Sequence, residues 1–314
     1  MGSLKPYEVS EKSCNSEFLN NFLSSPQWTH APALVRSRPR RLRRTGKMVR
    51  LSVNLNKIAL LRNSRGGALP SVLQAARICI AAGCHGITVH PRPDARHITT
   101  QDVMDLAAML TVEFNIEGYP SPAFLDLVDR VRPTQATLVP DPPDVLTSNA
   151  GWNLDRGADW LRDVLASLHE AKIRSSLFLA PDPKQIERAL ELGADRIELY
   201  TGPYAHAFGA PDGEAILRAH REAARLAREI GLGVNAGHDL DLKNIPPYVK
   251  AVKGLQETSI GHALINDALY LGLTRTVKAY LKALRAKPQR PREQRKALRS
   301  KPQIAGKQRS IRRD

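Results

Sequence analysis

The sequence predicts an α/β fold of the (β/α)8 type: a closed barrel of eight parallel strands, a TIM barrel. Three observations carry this. From Leu51 onward, eight short β-branched and aliphatic runs alternate with helical patterns in one fixed order. Glycine follows the last helical turn in IAAGC and in LELGAD. Polar residues collect where the runs end, and the carboxyl ends of strands are where such barrels place their chemistry. A doubly wound open sheet is the competing topology, but it usually has fewer strands and asks for a glycine-rich first turn that this chain lacks.

The predicted strands are LSVN (51–54), ITVH (87–90), FNIE (114–117), ATLVP (136–140), SSLFLA (175–180), RIELYT (196–201), LGVNAG (232–237) and ETSIGH (257–262). Helical patterns fall at about 70–82, 100–111, 121–131, 156–171, 183–192, 213–230, 241–253 and 263–286. Thr99 or Thr100 can cap QDVMDLAAML, and Ser121 with Pro122 opens SPAFLDLVDRV.

Composition bounds the function classes. The formal net charge of +16 over 314 residues is carried by the ends. Residues 1–47 hold nine Lys/Arg against three Asp/Glu, and residues 282–314 hold thirteen against two, so the middle is nearly neutral. A neutral core argues against a nucleic-acid-binding domain. The ends read as disordered basic tails, 1–47 and 287–314, flanking a barrel domain over 48–286, with nonspecific polyanion binding by the tails as a side role. Met48 precedes the first strand directly and is a candidate start, and no secretory apolar segment is expected ahead of it. No run is long and apolar enough for a membrane span. The cysteines Cys14, Cys79 and Cys84 lack metal-ligand spacing and read as reduced packing residues of a cytoplasmic protein.

The chemistry centres on GITVHPRPDARHIT (86–99). A β-branched run ends on His90, and Pro91 and Pro93 forbid helix in the loop that carries Arg92, Arg96 and His97. Arginine forks suit phosphate, and histidine moves protons near neutral pH. Other strand ends add Asn54, then Asn56, Lys57, Arg62 and Arg65; Glu117; Glu198; Asn235 with Gly237–His238; and Gly261–His262. The strand interiors otherwise read as aliphatic. His90, Glu117 and His238 are the acid–base candidates. The loops opened by Gly237 and Gly261 suit one phosphate, and Arg65, Arg92, His97 and Thr147 a second anion. Arg62 reads as structural, and Glu198 as a brace for a neighbour. No metal is invoked, because no His, Asp or Cys set has ligand spacing.

The segments NLNKIALLRNSRGG (54–67), GITVHPRPDARHIT (86–99), NIEG (115–118), LVPDPPDVLTSNAGW (138–152), ELYTGPYA (198–205), VNAGHDL (234–240) and IGHALI (260–265) resemble the pyridoxine 5′-phosphate synthase family. The resemblance runs in order from about Leu51 to about Arg285. It implies a (β/α)8 barrel with extra helices for assembly into an octamer, no cofactor, and two small phosphorylated substrates, 3-amino-2-oxopropyl phosphate and 1-deoxy-D-xylulose 5-phosphate. Matched by motif, it implies that His90 is a general base, Glu117 a second acid–base carboxylate and His238 a proton donor. It further implies that Asn54 and Arg65 hold the amino ketone phosphate. Arg92, His97 and Thr147 would bind the sugar phosphate, and Gly261 and His262 would receive the phosphate kept in the product. Two departures stand out. Asn56 and Lys57 replace an Asp-His pair that touches the sugar phosphate, and Asp239 replaces a glycine whose amide meets substrate. The Asp239 carboxylate would repel phosphate unless it points away. Two rivals stay open: a Schiff-base aldolase-like barrel using Lys57, and a non-catalytic barrel with polyanion-binding tails.

Overall fold

The computed structural model describes residues 48–140, 150–155 and 157–285. The expectations for 1–47, for 287–314 and for Thr147 fall outside the described residues. Eight parallel strands close a barrel in chain order, with β8 pairing back onto β1. They are β1 (Arg50–Asn54), β2 (Gly86–Val89), β3 (Glu113–Gly118), β4 (Gln135–Leu138), β5 (Arg174–Leu179), β6 (Arg196–Leu199), β7 (Gly233–Ala236) and β8 (Leu255–Ile260). Helices follow as α1 (Asn56–Asn63), α2 (Val72–Ala82), α3 (Thr100–Met109), α4 (Pro122–Val131), α5 (Trp160–Glu170), α6 (Pro183–Leu192), α7 (Gly202–His206), α8 (Gly213–Ile230), α9 (Ile245–Ala251), α10 (His262–Leu271) and α11 (Leu273–Leu284).

Local chemistry explains the helix ends. Thr99 and Asp102 form a reciprocal capping box at α3, and Ser121 accepts the Phe124 amide at α4, with Pro122 in the first turn. α2 and α6 stop at Gly83 and Gly193, whose positive φ (99° and 95°) lets the last carbonyls be capped. Three predicted helices differ from those found. The stretch 263–286 is two helices broken at Gly272, whose φ of 77° with ψ of 145° no other residue adopts easily. The stretches 156–171 and 241–253 shrink to α5 and α9. α1 and α7 were not predicted: α1 buries only Ala59 and has a weak apolar face, and α7 is a short helix after Thr201.

The strand interiors correct a sequence expectation. Strands alternate, but the aliphatic residues face outward: Leu51, Val53, Ile87, Val89, Ile116, Leu138, Leu177, Leu179, Ile197 and Leu199 are buried beneath the helices. The residues between them fill the barrel, and most are polar, Phe178 being an exception. Ser52 and Thr88 hydroxyls meet at 2.6 Å, Thr137 donates to Asn115 at 3.0 Å, and Arg174 donates to Gln135 at 2.8 Å. At the amino ends of the strands, Arg50 and Arg174 both pair with Glu113. A barrel interior built on hydrogen bonds holds only if its members are partnered, and those named here are, while the buried Ser176 hydroxyl on β5 makes no hydrogen bond among the described residues. The polar column rises from there to the opposite mouth.

Candidate active site

At the carboxyl ends of the strands the column becomes a cluster of proton carriers. Glu117 leaves the end of β3 with its two oxygens engaged from neighbouring strands. Oε2 accepts from Asn54 Nδ2 on β1 at 3.3 Å, and Oε1 accepts from Ser259 Oγ on β8 at 3.4 Å. Burial pushes its pKa up to about 7, against the opposing pull of His238 and the Ser259 bond. Glu198 on β6 is 4% exposed and close enough that the Glu117 charge acts on it. Burial first, and then the charges of Glu117 and Glu257, raise its pKa well above the carboxylate range. Glu117 therefore ionises first and keeps Glu198 protonated, which separates one acid from one base at neutral pH.

His90 follows β2 directly. Its backbone amide donates to Asn56 Oδ1 at 2.9 Å, while the Asn56 amide donates to Asn54 Oδ1 at 3.0 Å. The ends of β1 and β2 are thereby bracketed by two asparagines. Burial, and then the positive charges of Arg92, His97 and Arg96, lower the His90 pKa to about 3. At neutral pH it is an uncharged imidazole, the form of a base. The His97 ring lies 6.2 Å from it, and Nδ1 of His97 accepts the Ile98 amide at 2.9 Å. Burial and the charges of Arg92, Lys57 and Arg96 bring His97 down to about 4, so it too is neutral. Arg92 is 7% exposed beside both rings, and so contributes a low-dielectric positive charge suited to an anion.

His238 comes from the loop after β7, packed edge-on to Tyr200 with ring centroids 5.5 Å apart. Gly237, one residue earlier, is required by close approach: a Cβ there would collide with the Ser259 carbonyl and sit 2.9 Å from Glu198 Oε1. Gly261 packs on Asn54, with only 3.2 Å between a Cβ at that position and the asparagine side chain. α10 starts at the next residue, exposed His262, which places a helix amino end at the same mouth.

Not every predicted residue joins the cluster. Lys57 is exposed in the first turn of α1, with its charge reaching His97. Arg65 lies on an exposed loop beyond α1. Arg62 is structural, as predicted: it pairs with Asp102 at 2.5 and 2.8 Å and donates to the His97 carbonyl at 3.2 Å, clamping α1 to the loop of the second strand. Cys79 and Cys84 are buried, and burial pushes their thiols up to about 12 and about 11, which makes them packing residues. Sequence reasoning understated Glu198 and missed Ser259 and Tyr200. The signal for Glu198 was the two-residue period of β6, in which Ile197 and Leu199 alternate with Arg196 and Glu198. Among the described residues, no group of three or more His, Cys, Asp or Glu is arranged to hold a metal ion. Nor is any described helix long and apolar enough to cross a membrane.

Fold and cluster together define a (β/α)8-barrel enzyme with acid–base groups and a buried arginine at the carboxyl ends of its strands. The chain belongs to the family of the pyridoxal phosphate biosynthesis protein PdxJ, whose model matches residues 51–286. Pyridoxine 5′-phosphate synthase of Bacteroides fragilis is 55% identical over 238 residues, 76% of this chain and 100% of that protein. The synthases of Bacteroides thetaiotaomicron and Phocaeicola vulgatus are 54% and 52% identical, each covering 76% of this chain and 100% of the relative. Among solved structures, Mycobacterium tuberculosis tryptophan synthase matches with a TM-score of 0.53 at 15% identity, covering 76% of this chain and 94% of that one. A 4-hydroxy-2-oxoglutarate aldolase from TTHB1 matches with a TM-score of 0.51 at 17% identity, covering 76% and 95%. At those identities the likeness shows the barrel alone.

Proposed function

We propose that this chain is a pyridoxine 5′-phosphate synthase. It condenses 3-amino-2-oxopropyl phosphate with 1-deoxy-D-xylulose 5-phosphate to give pyridoxine 5′-phosphate, inorganic phosphate and water. The observation that carries the reading is full-length identity of 50% or more to synthases of that name, and the mouth chemistry supports it. The amine of one substrate attacks the ketone of the other, and water leaves as the imine forms. Each later dehydration and the loss of one phosphate need a proton placed or removed. Neutral His90 and partly ionised Glu117 take protons, protonated Glu198 keeps a second carboxyl uncharged, and His238 serves the ring-closing steps. Arg92 and His97 receive the sugar phosphate with Thr147. Asn54 and Arg65 hold the amino ketone, whose phosphate rests on Gly261 and His262. No cofactor takes part.

The protein works in the cytoplasm as a homo-oligomer, the octamer implied by the resemblance. Leu269 and Tyr270 at the end of α10, 69% and 82% exposed, support burial of that surface in an assembly. The test is a coupled assay of the full chain. Product must require both substrates and fall by orders of magnitude in His90→Ala. Borohydride trapping of substrate on Lys57 would instead favour the Schiff-base reading, which the exposure of Lys57 disfavours.

A further inference from the structure

Asp239 occupies a left-handed backbone conformation, φ 49°, that a side-chain-bearing residue adopts only at some cost. The turn that holds it is pinned at several points. The Thr201 hydroxyl lies 2.5 Å from the Gly237 carbonyl and 2.6 Å from the His238 carbonyl. Asn244 Nδ2 donates to the Asp239 carbonyl at 3.3 Å, and Asn244 Oδ1 accepts the Asp241 amide at 2.8 Å. So held, the Asp239 carboxylate turns back onto the preceding ring, with Oδ2 2.9 Å from His238 Nδ1. That resolves the repulsion expected from sequence: the charge faces an imidazole. Phe178 and Tyr200 pack against the same ring at 6.4 and 5.5 Å between centroids.

We propose that Asp239 is a positioning residue for His238: its carboxylate keeps a proton on Nδ1 and so assigns Nε2 as the nitrogen that exchanges protons with the substrates. The proposal rests on the synthase reading for its reaction, but its geometry does not. A carboxylate only accepts, so the neutral ring must carry its single proton on Nδ1 to make this bond. A histidine oriented by a carboxylate has a fixed tautomer and a stabilised imidazolium. The charged groups facing the pair come from each neighbouring element: Glu117 from β3, His206 from α7 and His262 from α10. The bond from His238 is the main cause that holds the Asp239 carboxyl below its ordinary range, so it is ionised at neutral pH.

Two variants of the full chain test this. Asp239→Gly removes the carboxylate and relieves the positive φ. Asp239→Asn keeps the size but removes the charge. Nitrogen NMR of histidine-labelled protein reads the His238 tautomer without any turnover. Wild type is expected to show the Nδ1–H form, and Asp239→Gly, which has no acceptor, to lose that preference. Both variants are expected to lose kcat on the order of tenfold or more, with KM little changed. Thermal stability of Asp239→Gly does not fall, which separates positioning from scaffolding. An Nε2–H tautomer in wild type, or unchanged kcat in both variants, overturns the proposal. An Nδ1–H tautomer in a chain that makes no pyridoxine 5′-phosphate upholds the pair and overturns the synthase reading instead.

Discussion

The side-chain oxygen of Asn56 accepts the backbone amide of His90 at 2.9 Å, joining the first turn after β1 to the end of β2. This residue departs from the family pattern, yet the bond it makes needs only an acceptor. Asn56→Asp keeps the acceptor and is expected to leave the urea midpoint close to wild type. Asn56→Ala strands an amide beside the site and is expected to cost about 1–2 kcal/mol, with a lower kcat/KM as His90 shifts. Urea titration and initial rates check both outcomes.

The Arg62–Asp102 pair is mostly screened from water, with side-chain exposures of 14% and 12%. Arg62→Ala leaves Asp102 with only its cap contacts and leaves the His97 carbonyl held by Asn63 Nδ2 alone. It should cost about 3 kcal/mol, and KM for the sugar phosphate should rise as the loop loosens. Replacing both residues by leucine should cost less than the two single changes added together, which a double-mutant cycle measures.

Buried carboxyls make stability depend on pH. The folded pKa of Glu198 is raised well above its ordinary range, and that of Glu117 is raised from the ordinary 4.5 to about 7. Between those values the folded state binds more protons than the unfolded chain, so these groups favour folding at low pH and lose that advantage as pH rises through 7. Relative to wild type, Glu117→Gln should therefore gain stability between pH 5 and 8. Equal pH slopes for the two proteins in denaturant titrations would mean that Glu117 is ordinary in the folded state.

Gly237 has no room for a methyl group between the Ser259 carbonyl and Glu198. Gly237→Ala is expected to push β7 from β8 at the mouth, costing about 1–3 kcal/mol in stability and at least tenfold in kcat. Gly66, where a Cβ meets nothing within 4 Å, is a control for crowding, though its φ of 63° carries its own strain.

Much of this was legible in the sequence, for physical reasons. Strand ends such as His90, Glu117 and the Gly237–His238 turn announce themselves, because a short aliphatic run stops at a polar residue and a breaker follows. α1 was not legible, since a helix that buries only Ala59 has little apolar stripe to detect. The strand interiors were read as aliphatic, which holds for one face of each strand only. Leu51 and Val53 cover the outside of the barrel, and Ser52 and Asn54 its inside, which alternation alone cannot orient. Nor could sequence reveal that Glu117 meets Ser259, because contacts across a closed barrel depend on the stagger of all the strands. The Asp239 carboxylate was read as a hazard for phosphate because its backbone twist, and so its direction, is set by Thr201 and Asn244.

The central claim is that a buried, partly ionised Glu117 moves protons in forming pyridoxine 5′-phosphate. The most direct measurement is the rate of product formation by the full chain and by Glu117→Gln, with both substrates saturating at pH 7.5. The account predicts product from wild type only when both substrates are present, and a rate on the order of a hundredfold to ten-thousandfold lower in the folded variant. Product formation at the wild-type rate by Glu117→Gln, or none from folded wild type, would contradict it.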